Sequence, residues 1–262
     1  MKKLSMVTIC FNAEKVLEKT ILSVLNQTQP IYEYILIDGA STDRSYEIIK
    51  SYQKCFEEKG IRYICLSEKD KGISDAFNKG IERATGDLVG IINADDELME
   101  NACERLIDYA EKNPADVYYA DAIWIDQENC LEYVSRPKTH DMSQLLYYMP
   151  MVHSSVFVTR DTYKESGVFD LSYKYCMDKE LLYRFYKDGR KFSYIAESLT
   201  KFKAGGVSDT NVKAVFAESS RMSLLYGEPW LKVKVIEYKK LTKDRISRIL
   251  KKTPFYMMLK KK

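Results

Sequence analysis

The chain has 262 residues, 45% apolar and 30% charged, long enough to bury a core and too balanced in composition for a disordered or collagen-like protein. Its net charge of +3 hides a division: residues 232–262 carry twelve Lys/Arg against two acids, a net +10, and the other 231 residues carry −7. An anionic surface is therefore expected to meet the tail rather than the body.

The opening Met1-Lys2-Lys3-Leu4 has the look of a signal peptide, but the apolar stretch behind it contains Ser5 and Thr8 and stops at Asn12 and Glu14. That is too short and too polar for an h-region. No run of eighteen apolar residues occurs, so no transmembrane helix is expected. Six scattered cysteines, without a CxxC or a Cys/His cluster, read as reduced thiols of a cytosolic protein and argue against zinc.

Along the first half, apolar β-branched runs at 4–10, 34–38, 62–66 and 88–92 alternate with helix-period segments. Val16, Leu17, Ile21, Val24 and Leu25 form a one-face helical stripe. Thr42 and Asp43 offer caps for a helix carrying Ile48 and Ile49, and Ser74 opens another carrying Ala76, Phe77, Ile81 and Ala84. This alternation predicts an α/β fold with a mostly parallel central sheet and helices on both faces, where ligands bind at the carboxyl ends of the strands. The second half is less regular. Strands are expected at 116–120, 123–126 and 155–159, and helices at 101–112, 160–166 and 177–187. No linker divides residues 1–225, so they are read as one domain, with a basic helical tail beyond Trp230.

Four expected strands end in polar groups: Cys10-Phe11-Asn12, Asp38-Gly39-Ala40-Ser41-Thr42-Asp43, Glu68-Lys69-Asp70-Lys71-Gly72 and Asn93-Ala94-Asp95-Asp96. Any one of these is an ordinary turn; four on one sheet edge suggest a site. Adjacent Asp95 and Asp96 repel unless a hard divalent cation, Mg²⁺ or Mn²⁺, joins them. As a bland alternative they cap the helix holding Cys103 and Leu106. With no GxGxxG after the first strand and no GxxxxGK[ST], a carboxylate-held metal is the natural way to bind a nucleotide diphosphate here.

In this order the motifs resemble family 2 glycosyltransferases, which have the GT-A fold. Val7-Thr8-Ile9-Cys10-Phe11-Asn12 and Thr20-Ile21-Leu22-Ser23-Val24-Leu25-Asn26-Gln27-Thr28 resemble the family's opening. Asp38–Asp43 is similar to its DGSTD turn, and Lys71-Gly72-Ile73-Ser74-Asp75-Ala76-Phe77-Asn78-Lys79-Gly80 to the segment leading into its metal motif. Asn93-Ala94-Asp95-Asp96 stands where the family carries a DxD-type motif, with Asn93 in place of the first acid. The likeness runs from about residue 4 to 210.

The resemblance implies a nucleotide-sugar donor in residues 1–112 and an acceptor half in 113–230. Asp38 would accept from the base, Phe11 would lie against its ring, and Thr8 and Asn12 would shape the pocket. Lys71 and Asp75 would lie near the donor, and Asn93 near the ribose. Asp95 would reach the metal, and Asp96 the metal or the sugar. Met177-Asp178-Lys179-Glu180-Leu181-Leu182-Tyr183-Arg184-Phe185 resembles the family's acidic motif, with Asp178 as the base of an inverting displacement and Glu180 as its competitor on another helix face. His153, in Pro150–Ser155, resembles the stretch before the acceptor site. Lys203, in Phe202–Ser208, resembles a late glycine turn that closes over the diphosphate. Trp124 and Trp230 are expected to be packed rather than stacked on sugars, and nothing is assigned to His140.

In the tail, Ile246, Ile249 and Leu250 recur among Lys243, Arg245, Arg248, Lys251 and Lys252, and Phe255–Leu259 follows Pro254. A basic amphipathic helix of this kind predicts contact with an anionic membrane surface. Nucleic acid is disfavoured, since no nucleic-acid-binding fold accompanies the tail. The resulting expectation is a metal-dependent, inverting enzyme of surface polysaccharide synthesis, cytoplasmic and peripheral on the inner membrane face, acting on a glycan or lipid-linked sugar. A nucleotidyltransferase and a non-catalytic sugar-binding protein are the alternatives.

Overall fold

The computed structural model describes residues 1–126, 130–206 and 211–251, with backbone alone for 243–244 and 247–251. Val207, Ser208 and the Phe255–Leu259 patch lie outside these residues, as do the lysines around that patch. In chain order the first half gives β1 (Leu4–Cys10), α1 (Leu17–Leu25), β2 (Glu33–Asp38), α2 (Ser45–Ser51), α3 (Gln53–Glu58), β3 (Arg62–Ser67), α4 (Ile73–Arg83), β4 (Leu88–Asn93), β5 (Glu97–Leu98) and α5 (Ala102–Lys112). The second half gives β6 (Val117–Asp126), β7 (Leu131–Ser135), two short 3₁₀ turns (Met142–Leu146 and His153–Ser155), β8 (Val156–Thr159), α6 (Arg160–Ser166), α7 (Met177–Lys187), β9 (Phe192–Lys203), α8 (Val212–Leu225) and α9 (Trp230–Lys251). No helix among the described residues is long and apolar enough to cross a membrane.

One sheet runs β3-β2-β1-β4-β8-β6-β9-β5, with β7 folded back on β6. β1 to β4 are parallel, as their separation by helices requires. Their side chains alternate between two cores. Met6, Tyr34, Leu36 and Ile92 pack on one face with α1 and α5. Val7, Ile35, Ile37 and Ile91 pack on the other with α4 and α7. β1, β2 and β4 are buried on both faces and so read as unbroken apolar runs, while β3 at the edge is only part-buried.

Beyond the parallel strands β1 to β4 the sheet continues with mixed pairing. β8 lies antiparallel to β4 and β6, while β9 is parallel to β6 and β5 antiparallel to β9. The two strands expected at 116–120 and 123–126 are one, β6. The irregularity sits in its partner: Ala120 faces Ile195, Asp121 faces Ser198 and Ala122 faces Thr200, so β9 bulges while β6 runs through.

The amino end of the sheet is closed by a buried carboxylate. Glu33 accepts from Ser5 Oγ at 2.6 Å, Thr85 Oγ1 at 3.0 Å and Gly86 N–H at 3.2 Å, and pairs with Arg62 at 2.9 Å. Burial alone would push its pKa up; the hydrogen bonds from Ser5, Thr85 and Gly86 prevail and hold it below the ordinary value. The unfolded chain therefore takes up this proton at higher pH than the folded one. The stabilisation is complete at neutral pH and is lost as pH falls through the carboxylate range. Glu33→Gln is expected to lower stability by about 1–3 kcal/mol at neutral pH and by clearly less at pH 4, read from urea midpoints. An equal loss at both would contradict this.

Candidate active site

The carboxyl ends of β1, β2, β3 and β4 lie side by side, with Cys10 opposite Asp38, Asp38 opposite Ser67, and Ile9 opposite Asn93. Two loops on this edge are laced together. Asn12 Oδ1 accepts from Thr42 N–H at 2.9 Å, and Asn12 N–H donates to Ser41 Oγ at 2.8 Å. Asn12 (φ 50°) and Ala40 (φ 60°) both adopt the left-handed conformation, which non-glycine residues rarely hold without support. Here the hydrogen bonds between the loops supply it. Gly39 lies between them: a Cβ there would stand 2.5 Å from Asp70 Oδ2 and 3.5 Å from the Phe11 ring. Phe11 is 63% exposed, an open aromatic face beside this turn.

Two expected pocket residues turn inward. Thr8 has no exposed surface and its Oγ1 accepts from Tyr34 Oη at 3.0 Å, so it supports β1 rather than lining a pocket. Asp38 is also fully buried. Its carboxylate accepts from the Ser41 hydroxyl, from Ser41 N–H at 3.1 Å and from Ser67 Oγ at 2.5 Å. In this structure it fixes the turn rather than offering a vacant acceptor to a base. Lys71 is exposed at the start of α4, where its N–H donates to Asp75 Oδ2 at 2.9 Å. Asp75 Oδ2 also lies 3.6 Å from Lys79 Nζ.

At the end of β4 the two adjacent acids separate. Asp95 is partly exposed, whereas Asp96 is fully buried. Asp96 accepts from the Ser154 hydroxyl, from Asn93 Nδ2 at 3.1 Å and from Lys203 N–H at 3.0 Å. Burial, with Asp95 beside it, outweighs these bonds and pushes its pKa up to about 6. Asp96 was expected on the metal or the sugar; instead it ties β4 to the turn before β8 and to the end of β9. Lys203 enters by its main-chain N–H. The Thr20–Gln27 motif of α1 explains itself here. Thr20 Oγ1 donates to the carbonyls of Ala94 (2.8 Å) and Asp96 (2.7 Å), Ser23 Oγ accepts from Leu98 N–H (3.0 Å), and Gln27 bonds Met99 and Cys103. Thr20 and Ser23 share a face of α1 and Gln27 follows just past its end, and together they hold the 94–103 segment.

On the far side of the Asp96–Ser154 link stands His153, between Phe77 (5.9 Å between centroids) and Phe169 (6.0 Å). Both its ring nitrogens are buried without a hydrogen-bond partner among the described residues. Burial lowers its pKa, with the nearby Asp178 carboxylate acting in the opposite sense. Asp178 is partly exposed in the first turn of α7, and its Oδ1 accepts from Lys179 N–H at 2.7 Å. Glu180, its competitor, is 4% exposed and is engaged by Arg184 through two bonds of 3.1 Å and by Tyr226 Oη at 2.8 Å. An isolated sequence motif does not show that pairing, although the 180/184 spacing is a signal for it. Glu218 of α8 carried no sequence signal. It accepts from the N–H groups of Lys174, Tyr175 and Cys176 at 2.8, 2.7 and 2.6 Å and so sets the entry to α7.

No group of three or more His, Cys, Asp or Glu able to hold a metal occurs among the described residues. The donor set nevertheless fits a shared site. Mg²⁺ and Mn²⁺ commonly take one or two carboxylates and complete their shell with water and phosphate oxygens, and Asp95 is a partly exposed carboxylate at the strand edge.

A model of glycosyl transferase family 2 matches residues 5–165. The PGL/p-HBAD biosynthesis glycosyltransferase of Mycobacterium bovis is 27% identical over 229 residues, covering 85% of this chain and 86% of that protein. The putative teichuronic acid biosynthesis glycosyltransferase TuaG of Bacillus subtilis is 33% identical over 105 residues, 40% of each chain. Among solved structures, S. aureus TarS with UDP-GlcNAc is similar at a TM-score of 0.66 and 15% identity, over 91% of this chain and 71% of that one. The mannosyltransferase PcManGT of Pyrobaculum calidifontis, with GDP-Man and Mn²⁺, is similar at 0.67 and 13% identity, over 99% of this chain and 83% of that one. At these identities the structures speak for the fold, which is GT-A.

Proposed function

Because the chain belongs to glycosyl transferase family 2 and is a glycosyltransferase, we propose that it transfers a sugar, with inversion, from a nucleoside-diphosphate sugar to a glycan or lipid-linked sugar in surface polysaccharide synthesis. The observation that supports this reading is a chain of neighbours: the partly exposed Asp95 adjoins buried Asp96, Asp96 accepts from Ser154, and the adjacent residue, His153, feels the partly exposed Asp178 carboxylate. The name of the Bacillus relative, for teichuronic acid biosynthesis, supports the polysaccharide assignment.

Phe11 offers its exposed face to the base, on loops held by Asn12 and Asp38. Asn93 is near enough to the strand edge to meet the ribose, and Lys71 and Asp75 at the start of α4 flank the diphosphate and sugar. Asp95 would hold Mn²⁺ or Mg²⁺ together with diphosphate oxygens, and the cation supplies positive charge against the leaving diphosphate. Asp178 takes the proton of the acceptor hydroxyl as that oxygen attacks the anomeric carbon. The bond to the diphosphate oxygen breaks on the opposite face, which inverts the centre. His153, whose pKa burial lowers and whose nitrogens have no partner among the described residues, suits a sugar hydroxyl, which both donates and accepts; a phosphate would call for a cation. The basic C-terminal segment supports work at an anionic membrane, on its cytoplasmic face.

Incubation of the full chain with UDP- and GDP-sugars and Mn²⁺ is expected to release nucleoside diphosphate. EDTA should abolish release, and Mn²⁺ or Mg²⁺ should restore it. Full activity in chelator would refute the cation, and pyrophosphate release from a nucleoside triphosphate would favour a nucleotidyltransferase.

A further inference from the structure

The last helix presents an apolar row that the body leaves uncovered. Leu231, Val235, Tyr238 and Ile246 are 68, 45, 71 and 53% exposed, and at about 100° per residue they fall within an arc of roughly 80° on α9. The opposite face is occupied. Val233 is buried, Lys240 Nζ donates to the Tyr147 carbonyl, and Val233, Ile236 and Lys240 face Phe216, Ser219 and Ser223 of α8. α9 is therefore docked, and its apolar row points away from the dock.

Cations border the row on both sides. By the same helical angle Lys232 and Lys239 lie along one edge and Lys234 and Arg245 along the other, all exposed. Lys232 and Lys234 share charge with Glu228 (2.7 Å) and Glu237 (2.8 Å), while the sequence adds six more Lys/Arg after Arg245. From this geometry we infer that the outward face of α9 lies on an anionic lipid bilayer, with the row in the headgroup boundary and the cations against the headgroups. The inference rests on the membrane-side acceptor proposed above and names the surface that meets the lipid. Anionic lipid neutralises these cations, whereas a second copy laid face to face would set like charges against each other.

Flotation of the full chain with phosphatidylcholine vesicles, with and without phosphatidylglycerol, tests it. The wild type is expected to float only with the anionic vesicles and to be released by salt. Lys239→Gln/Arg245→Gln should weaken binding by about fivefold per cation removed. Val235→Ser/Tyr238→Ser should weaken it about tenfold or more. Nucleotide-sugar turnover in solution should be unchanged in both variants, since neither pair belongs to the site. A wild type that turns over donor but does not float, variants that float like wild type, or variants that instead convert a dimer to a monomer would overturn this inference and leave the proposed reaction standing. A wild type that floats as described without any turnover would instead overturn the reaction and leave this face.

Discussion

Asp178→Asn is expected to lower sugar transfer by about 10²–10⁴-fold, the usual range for loss of a general base, while donor binding stays within about twofold. The separation follows from the structure. Asp178 sits in the first turn of α7, where its Oδ1 accepts the Lys179 N–H. The Asn carbonyl oxygen can keep that bond, so the helix start is preserved while the basic oxygen is lost. Glu180 cannot take over. It is buried against Arg184 and Tyr226, and freeing it would deprive the part-buried Arg184 guanidinium of its carboxylate, a costly change. Turnover and nucleoside-diphosphate affinity, measured on the same preparation, decide the matter. Transfer retained within about threefold would remove Asp178 as the base.

Asp96→Ala should destabilise the fold by about 2–4 kcal/mol, among the larger effects for a single site. Its removal strands the buried Ser154 hydroxyl and the part-buried Lys203 N–H and Asn93 amide. Relief from burying an ionisable group, visible in its raised pKa, offsets part of that loss. Transfer should fall as well, because this carboxylate joins β4, β9 and the turn carrying His153. Denaturant midpoints test the first claim; a change below about 0.5 kcal/mol would show Asp96 to be a surface ligand after all.

The difference between Asp95 and Asp96 shows where the sequence stops being readable. Side by side, the two acids look equivalent, and their repulsion argues for a cation between them. Which one turns inward depends on Ser154 and Lys203, 58 and 107 residues further along the chain. Asp38 is similar: its place at the end of an apolar run marks it as important, but the Ser67 hydroxyl that helps close it off comes from the next strand. β1, β2 and β4 were legible because burial on both faces leaves a run of β-branched residues ended by Asn12, Asp38 or Asn93. β9 was not, because bulges at 195–200 break its alternation. The basic tail beyond Trp230 is legible as amphipathic, with its helical spacing clearest at Ile246, Ile249 and Leu250. The exposed row begins at Leu231, a position hidden in sequence by the docking of Val233 and Lys240 on the opposite face.

A crystal structure of the chain with a nucleotide sugar and Mn²⁺ reaches the central claim most directly. It should show the cation on Asp95 and the diphosphate, the base against Phe11, and the Asp178 carboxylate facing the anomeric carbon from the side opposite the diphosphate. A nucleotide bound away from this edge, or Asp178 turned from the sugar with no acceptor-sized space between them, would contradict it.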